Sequence, residues 1–291
     1  LDLGNLVNTN AVNGTPETIV IEYQAVVLNT AANQSTAKES GPQVNNAASL
    51  NWGTNPTPAT PLSANAANVT IIEPQLQIIK DVAVDGSGDT GNGGDEVVYT
   101  ITIKHTANSE ADAYEVNLTD VLPTQFITGV GAIAITSDST GSGLTAADFQ
   151  IAGGNAGSGG TLQLVAGKTL NIPEGKEIVL KVTGKVSDAA VLGQTFDSPA
   201  QITWTSLAGT ATNLSNHTAT GDEERNGTGN LNHYFAEDNA PATIENLSAV
   251  SKTLTNTSVG NDASNTVTVG EILTYTVTIT GRSEGATPAC D

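Results

Sequence analysis

The chain is 291 residues long and carries 30 Asp or Glu against 10 Lys or Arg, a formal net charge of -20 at pH 7. So acidic a surface repels phosphate groups, which excludes nucleic acid and anionic membranes as partners. Hydrophobic residues make up 38% of the chain, enough for cores of Val, Ile, Leu and Ala, while the single cysteine, Cys290, excludes a disulfide scaffold.

Membrane insertion is not expected in this segment, because no apolar run reaches the roughly twenty residues that a membrane helix needs. The first residues lack the basic start and apolar middle of a signal peptide. Methionine is absent altogether, including at position 1. We therefore expect a processed or excerpted piece of a longer chain.

Strand patterns dominate the sequence from end to end. Four segments alternate apolar and polar residues with the period of two that marks a half-buried strand: Val97–Ile103, Ile178–Val182, Ile202–Trp204 and Leu273–Ile279. Gly-rich segments such as "TSDSTGSG" favour turns between them. Only "LTAADF" at Leu144–Phe149 predicts a helical turn, with Thr145 placed to cap it. The sequence thus predicts an all-β, mostly antiparallel chain.

An internal repeat organises these strands. "EPQLQIIKDV" at Glu73–Val82 recurs as "ENLSAVSKTL" at Glu245–Leu254, and "GDEVVYTITI" at Gly94–Ile103 recurs as "GEILTYTVTI" at Gly270–Ile279. The same apolar positions are kept in both copies, which indicates that the same face is buried twice.

A second correspondence links the first segment to the middle of the chain. "IVIEYQAVV" from Ile19 resembles "IVLKVTGKV" from Ile178, and "NAASLNW" ending at Trp52 resembles "SPAQITW" ending at Trp204. The sequence therefore predicts the C-terminal part of one β-sandwich repeat at 1–74, a complete repeat at 75–243 and the N-terminal strands of a further repeat at 244–291. A split of the middle unit into two small sandwiches near Gly154–Gly160 is the alternative.

Leu76–Pro123, "LQIIKDVAVDGSGDTGNGGDEVVYTITIKHTANSEADAYEVNLTDVLP", resembles the conserved repeat of bacterial and archaeal cell-surface proteins known as domain of unknown function eleven. "DEERNG" at Asp222–Gly227 and "LNHY" at Leu231–Tyr234 also resemble a pair of motifs that often closes such units in adhesins, although His233 stands where Asp is common. The resemblance implies tandem immunoglobulin-like β-sandwich repeats, forming extracellular rods at the cell surface without catalysis.

The acidic loop after Val84 has the oxygen spacing of a calcium loop. Its candidate ligands are Asp85, Ser87, Asp89, Asp95 and Glu96, with the Gly91 backbone among them. Thr90 stands where a calcium loop of the helix-loop-helix type needs glycine, and no helices flank the loop, so only an irregular structural calcium clip between strands fits. The alternative is a solvated turn that keeps a sheet edge soluble.

A second acidic cluster, Asp222 and Glu223 with Glu224, lies beside Arg225. One interpretation is a structural salt bridge with the arginine. The other is a calcium ion shared between this loop and the acidic loop of a neighbouring unit, which would relieve their mutual repulsion.

Lys80 and Lys252 recur at the same place on the first strand of their units. An amide bond from such a lysine to an Asn side chain would require burial and a neighbouring carboxyl group. The sequence does not pair either lysine with an Asn, so a solvent-facing lysine is expected. Trp52 and Trp204 occupy matching strand positions and are expected to anchor two cores.

No catalytic motif is found in the sequence. His105, His217 and His233 are scattered without metal-ligand spacing, and nucleophile and phosphate-loop motifs are absent. We therefore expect a structural protein rather than an enzyme.

Three functions remain open at this stage. The first is a stalk or spacer of a large cell-surface adhesin, whose partners are neighbouring repeats. The second is a self-assembling subunit of an extracellular filament, sheath or surface layer, in which another copy completes a half-domain by strand donation. The third, a carbohydrate-binding module, would need exposed aromatic platforms, and the sequence holds only two Trp and five Tyr.

Overall fold

A computed structural model describes residues 1–4, 14, 18–35, 41–54, 57–58, 62–86, 88–153, 158–209, 224–225, 234–245, 249–258 and 267–280. This part of the chain is almost entirely β-structure. Its helical segments are two single 3-10 turns, Ala31–Asn33 and Ala146–Asp148, and neither is long or apolar enough to cross a membrane. The second turn lies where it was predicted, and the Asp148 carboxylate accepts hydrogen bonds from the Thr145 N–H and hydroxyl at 2.8 and 2.9 Å.

The strands fall into three groups along the chain. They are β1 (Gln43–Val44), β2 (Ala47–Leu50), β3 (Gly53–Thr54), β4 (Thr57–Pro58), β5 (Leu62–Asn65) and β6 (Val69–Thr70); β7 (Leu76–Val84), β8 (Thr90–Gly91), β9 (Glu96–His105), β10 (Tyr114–Asp138), β11 (Phe149–Ala152), β12 (Ser158–Leu164), β13 (Glu177–Val186), β14 (Thr195–Phe196), β15 (Pro199–Thr205), β16 (Phe235–Asn239) and β17 (Ala242–Ile244); and β18 (Ala249–Thr257) and β19 (Leu273–Thr280). All four predicted strands are confirmed.

Strand β10 ties the middle group into a sandwich. Its first residues pair with β15, and residues from Phe126 onward pair with β13. Register shifts between Leu122 and Ile127 and between Thr128 and Ile133 interrupt the ladders on β10. Such irregularities bend a strand, so one strand serves both layers: β7, β9 and β13 with the end of β10, and β12, β15 and β16 with its beginning.

The core lies between these layers and is built from the inward positions of alternating strands. In β9 the side chains of Val97, Tyr99, Ile101 and Ile103 are fully buried, while the residues between them are partly exposed. The β13 and β15 strands bury every second residue in the same way. The all-β, mostly antiparallel fold predicted from the period-two pattern is therefore confirmed, and so is the β-sandwich architecture that the resemblance implied.

A small sheet closes one end of the sandwich. It has the order β14-β17-β8, and β17 pairs in parallel with β8 through Thr243 and Thr90. Strands on both sides of Gly154–Gly160 belong to the large sheet, because β11 pairs with β12 and β12 pairs with β10. The glycine-rich segment therefore does not separate two sandwiches in the described part of the chain.

The two flanking groups form small ladders. The first group pairs as β1 with β6, β2 with β5 and β3 with β4, and the described residues of β1, β2, β5 and β6 are exposed. The last group is the hairpin β18–β19, whose residues are also exposed except for the partly buried Thr257 and Leu273. The boundaries at residues 74 and 243 stay a prediction.

One core prediction is wrong for the first group. Trp204 is 3% exposed in the core of the sandwich, whereas Trp52 is 46% exposed. The reason is that no second sheet covers the two-stranded ladders around Trp52 among the described residues, so the indole ring is not enclosed in a core.

Candidate functional site

A buried lysine and a buried aspartate meet inside the sandwich. Lys80 follows Leu76 and Ile78 on the inward face of β7, and Asp120 follows Val116 and Leu118 on the inward face of β10. The side chains of Lys80 and Asp120 are both 0% exposed, and Lys80 Nζ contacts Asp120 Oδ1 directly. The pair therefore joins β7 to the part of β10 that belongs to the opposite layer.

Ser198 and the ring of Tyr99 surround this buried pair. Lys80 Nζ donates to the Ser198 carbonyl at 2.8 Å and to the Ser198 hydroxyl, and it lies 4.4 Å from the centre of the Tyr99 ring. Asp120 Oδ2 is buried without a hydrogen-bond partner in the described part of the chain. Burial lowers the pKa of Lys80 and raises the pKa of Asp120, each against the opposing influence of its partner.

The expectation of a solvent-facing lysine is wrong. The alternation that places Leu76 and Ile78 in the core places Lys80 there as well, two residues further along the strand. The same rule places Asp120 inside, after Val116 and Leu118. A polar residue in phase with the apolar face was thus a readable signal for both groups. What the sequence could not supply was their contact, because 40 residues separate them.

A second buried ion pair lies where the first segment meets the sandwich. The Arg225 guanidinium contacts Glu73 Oε1, and both side chains are almost fully buried. The other Glu73 oxygen accepts from the Ser35 N–H at 2.6 Å, and Arg225 Nε donates to Asn29 Oδ1 at 2.9 Å. We name Glu73, Arg225 and Tyr234 with these two residues of the first segment the joint cluster. The cluster links both sides of Pro74.

Aromatic packing continues the joint cluster into the core. The Tyr234 hydroxyl donates to Glu73 Oε1 at 3.0 Å, and burial, followed by the charge of Glu73, raises the Tyr234 pKa. The Tyr234 ring stacks on Trp204 with a centroid distance of 5.6 Å, and Trp204 Nε1 donates to the Pro74 carbonyl at 3.3 Å. Glu73 and Pro74 form the linker between the first segment and β7, and this linker is therefore held by the Glu73 ion pair and by the hydrogen bond to the Pro74 carbonyl.

Replacing Trp204 with phenylalanine is expected to lower the free energy of unfolding by about 1–3 kcal/mol, because the variant loses ring volume in the core and leaves the Pro74 carbonyl without its donor. Trp52→Phe is the matched control and should change stability by less than about 0.5 kcal/mol, since Trp52 is exposed. Denaturant unfolding followed by circular dichroism measures both. Equal losses from the two variants would contradict the placement of Trp204 in the core.

The acidic loop serves as a turn that fastens β8 to the end of the sandwich. Asp85 has a positive φ of 46° and its Oδ1 accepts from the Glu96 N–H at 3.1 Å. Asp95 Oδ2 accepts from the Asn92 N–H at 2.6 Å, and the Asp89 carbonyl accepts from the Thr243 N–H at 2.8 Å. The carboxylates of two predicted calcium ligands, Asp85 and Asp95, thus accept backbone hydrogen bonds.

The predicted calcium ligands lie only partly within the described residues. Ser87, Asp222 and Glu223 lie outside the described residues. Among the described residues, no group of three or more His, Cys, Asp or Glu side chains is placed to hold a metal ion. Calcium binding by Asp85, Asp89, Asp95 and Glu96 therefore stays a prediction.

Arg225 pairs with Glu73, while Asp222 and Glu223 of the adjacent acidic cluster lie outside the described residues. Glu224 is the one acidic neighbour that the structure describes, and its Oε2 is buried without a hydrogen-bond partner there. Burial raises the Glu224 pKa, and the charge of Glu115 raises it further. The partner of Arg225 lies 152 residues away in sequence, which is why local reading did not identify it.

His105 has a structural position. Its two ring nitrogens lie 2.6 Å from the Ser109 hydroxyl and 2.8 Å from the Ile172 carbonyl. Both ring nitrogens are engaged by neighbouring strands and turns, so the residue fixes the end of β9. His217 and His233 lie outside the described residues.

Comparison with known proteins gives solved structures only. No family model and no curated protein matches the chain. One similar structure is the major pilin subunit BcpA of Bacillus cereus, with 13% identity and a TM-score of 0.32; the match covers 61% of this chain and 43% of BcpA. Another is the major pilin RrgB of Streptococcus pneumoniae, with 16% identity and a TM-score of 0.35; the match covers 50% of this chain and 28% of RrgB. A further match is AvmM, which catalyses macrocyclisation in alchivemycin A biosynthesis, with 10% identity, a TM-score of 0.27 and coverage of 58% and 89%. The chain thus spans less than half the length of either pilin.

Proposed function

We propose that this chain is an extracellular structural piece of a cell-surface filament or stalk, in which β-sandwich units act as mechanical spacers. The joint cluster is the observation that carries this proposal. A buried ion pair, a proline and a stacked aromatic pair all fix one short linker, so the first segment and the sandwich are held at a defined angle. A spacer needs such a joint, whereas a flexible tether does not.

The repeat supports an array of units. In β7–β9, Lys80 lies opposite Ile101 and Val82 opposite Tyr99; in β18–β19, Lys252 lies opposite Val277 and Leu254 opposite Tyr275. The two hairpins therefore share their register up to Val82 and Leu254, and a register shift follows Leu254 in the second hairpin. The lysine also lies over the tyrosine ring in both hairpins, at 4.4 and 4.3 Å.

Of the two structural functions, the self-assembling filament subunit fits the described surfaces better than the adhesin stalk does. The described strands outside the sandwich expose large apolar side chains, including Leu62 on β5, Val69 on β6, and Val277 and Ile279 on β19. Exposed apolar strand faces mark interaction surfaces. Another copy of the chain, or a further length of the same protein, would supply the covering layer by adding strands.

Size and shape in solution test this choice. A filament subunit should associate as its concentration rises in analytical ultracentrifugation, and small-angle scattering of the smallest species should give an elongated particle with a fixed joint. A species that stays monomeric but elongated at high concentration would favour the stalk. A compact or freely bending particle would contradict both structural functions.

Structural calcium remains part of the proposal for the acidic loop of residues 85–96. Bound calcium would stabilise the folded state by an amount that grows with the logarithm of its free concentration above the dissociation constant. Melting with calcium and then with a chelator tests this directly: chelation should lower the melting temperature, and Asp89→Asn should remove that difference. An unchanged transition would leave the loop as a turn stabilised only by its own hydrogen bonds.

A further inference from the structure

The buried Lys80 and Asp120 pair has the geometry of a reacting pair. The lysine nitrogen touches the carboxyl group, and both side chains are completely enclosed. The Ser198 carbonyl and hydroxyl both accept from the lysine nitrogen, and the Ser198 hydroxyl donates in turn to the Val121 carbonyl at 3.2 Å. The nitrogen is therefore fixed beside the carboxyl group.

The second oxygen of Asp120 distinguishes this pair from a fully satisfied ion pair. A buried carboxylate is stable when both oxygens accept hydrogen bonds. Asp120 Oδ2 accepts none from the described residues. A neutral carboxylic acid loses less than a carboxylate does when one oxygen has no hydrogen-bond donor. Burial favours the neutral forms of both Lys80 and Asp120.

From this geometry we propose that Lys80 and Asp120 become joined by an amide bond between Nζ and Cγ. The lone pair of the neutral amine forms the C–N bond, and the bond from Cγ to the hydroxyl oxygen of the neutral acid breaks. That oxygen leaves as water with its own proton and one proton from the amine, and the other amine proton stays on the amide nitrogen. The step is a condensation and requires no oxidant, reductant or activated co-reactant.

Enclosure favours the product over the pair of ions. In water, an amine and a carboxylic acid exchange a proton and stay apart, because both ions are well solvated. Inside the sandwich neither ion is solvated, so the neutral pair and the neutral amide gain relative to the ions. Proximity supplies the remaining advantage, because the two groups are held in contact by strands of opposite layers.

The bond would have a mechanical consequence that reaches beyond the proposed spacer function. Lys80 lies on β7, and Asp120 lies on the part of β10 that pairs with β15 in the other layer. A covalent bond there would clamp the two layers together. Force applied through the linker before β7 would then reach β10 directly, without first separating the layers.

The mass of the intact, denatured wild-type protein tests the inference. The expected value is lighter than the sequence mass by one water molecule, and denaturation must not restore the full mass. Trypsin digestion locates the bond: cleavage after Lys80 should be lost, and residues 39–104 should be joined to residues 105–168. A full sequence mass with normal cleavage after Lys80 would overturn the proposal, as would a bond from Lys80 to another residue.

Two variants complete the test. Lys80→Arg keeps a cation and a trypsin site but has no amine for this condensation, so it should have its full sequence mass. Lys168→Arg is the matched control, because the Lys168 side chain is 48% exposed and pairs with Asp148 at the surface; it should keep the mass deficit. Should Lys80→Arg fail to fold, the wild-type mass and digestion map decide alone. A deficit that persists in folded Lys80→Arg would contradict the assignment to Lys80.

Discussion

Replacing Asp120 with alanine is expected to lower the free energy of unfolding by at least about 3–5 kcal/mol, the cost of leaving a buried charged group without its partner. Lys80 would keep only the Ser198 oxygens as acceptors in an enclosed site. The variant would also lose any covalent clamp. Denaturant unfolding by circular dichroism measures the loss, and Asn117→Thr, an exposed position on the same strand, should stay within about 0.5 kcal/mol of the wild type.

The double variant Lys80→Met with Asp120→Leu tests whether Lys80 and Asp120 form only an ion pair or an amide bond. Apolar replacement of a buried ion pair is often neutral or stabilising. An amide that closes a loop of this length contributes about 4 kcal/mol through the unfolded state. We therefore expect the double variant to stay well below the wild type in stability. Full recovery would show that only an ion pair had been lost.

Glu73→Ala is expected to have an effect of similar size at the joint cluster. The change leaves the buried Arg225 without a carboxylate and the Tyr234 hydroxyl without its acceptor, and breaking a buried pair in this way costs about 3–5 kcal/mol. The fixed angle of the linker should be lost with it. We expect a lower melting temperature, faster proteolysis near residues 29–35 and a broader distribution of particle lengths in small-angle scattering.

Glu245→Ala is the matched control, because Glu245 is the repeat counterpart of Glu73. Its carboxylate accepts from the Asn92 side chain at 3.1 Å and belongs to no ion pair in the described part of the chain. The variant should lose less than about 1 kcal/mol, the scale of a single exposed hydrogen bond. Equal losses at the two positions would contradict a special role of the joint cluster.

The two buried ion pairs also differ in what they stabilise. Lys80 and Asp120 connect layers within one sandwich, whereas Glu73 and Arg225 connect the sandwich to the segment before it. Losses from Asp120→Ala and Glu73→Ala should therefore be separable: the first should leave the joint angle intact in any molecules that fold, and the second should leave the mass deficit of the wild type in place.

The sequence by itself determined the fold class and much of the strand layout. The period-two pattern placed β9, β13, β15 and β19, and the repeat of "EPQLQIIKDV" and "GDEVVYTITI" placed equivalent hairpins, which share their register up to Leu254. These features are local: a strand's alternation records which face is buried, whatever covers that face. The same alternation indicates that Lys80 and Asp120 face inward, although the lysine was expected to face solvent.

Only the tertiary structure decided which distant residues meet. Asp120 as the partner of Lys80, and Glu73 as the partner of Arg225, depend on the bend in β10 and on the closure of the sheet across long separations. Trp52 and Trp204 have matching sequence surroundings, yet one is exposed and the other buried. Burial and pairing depend on the second layer, and a strand's own sequence does not record what lies across the core from it.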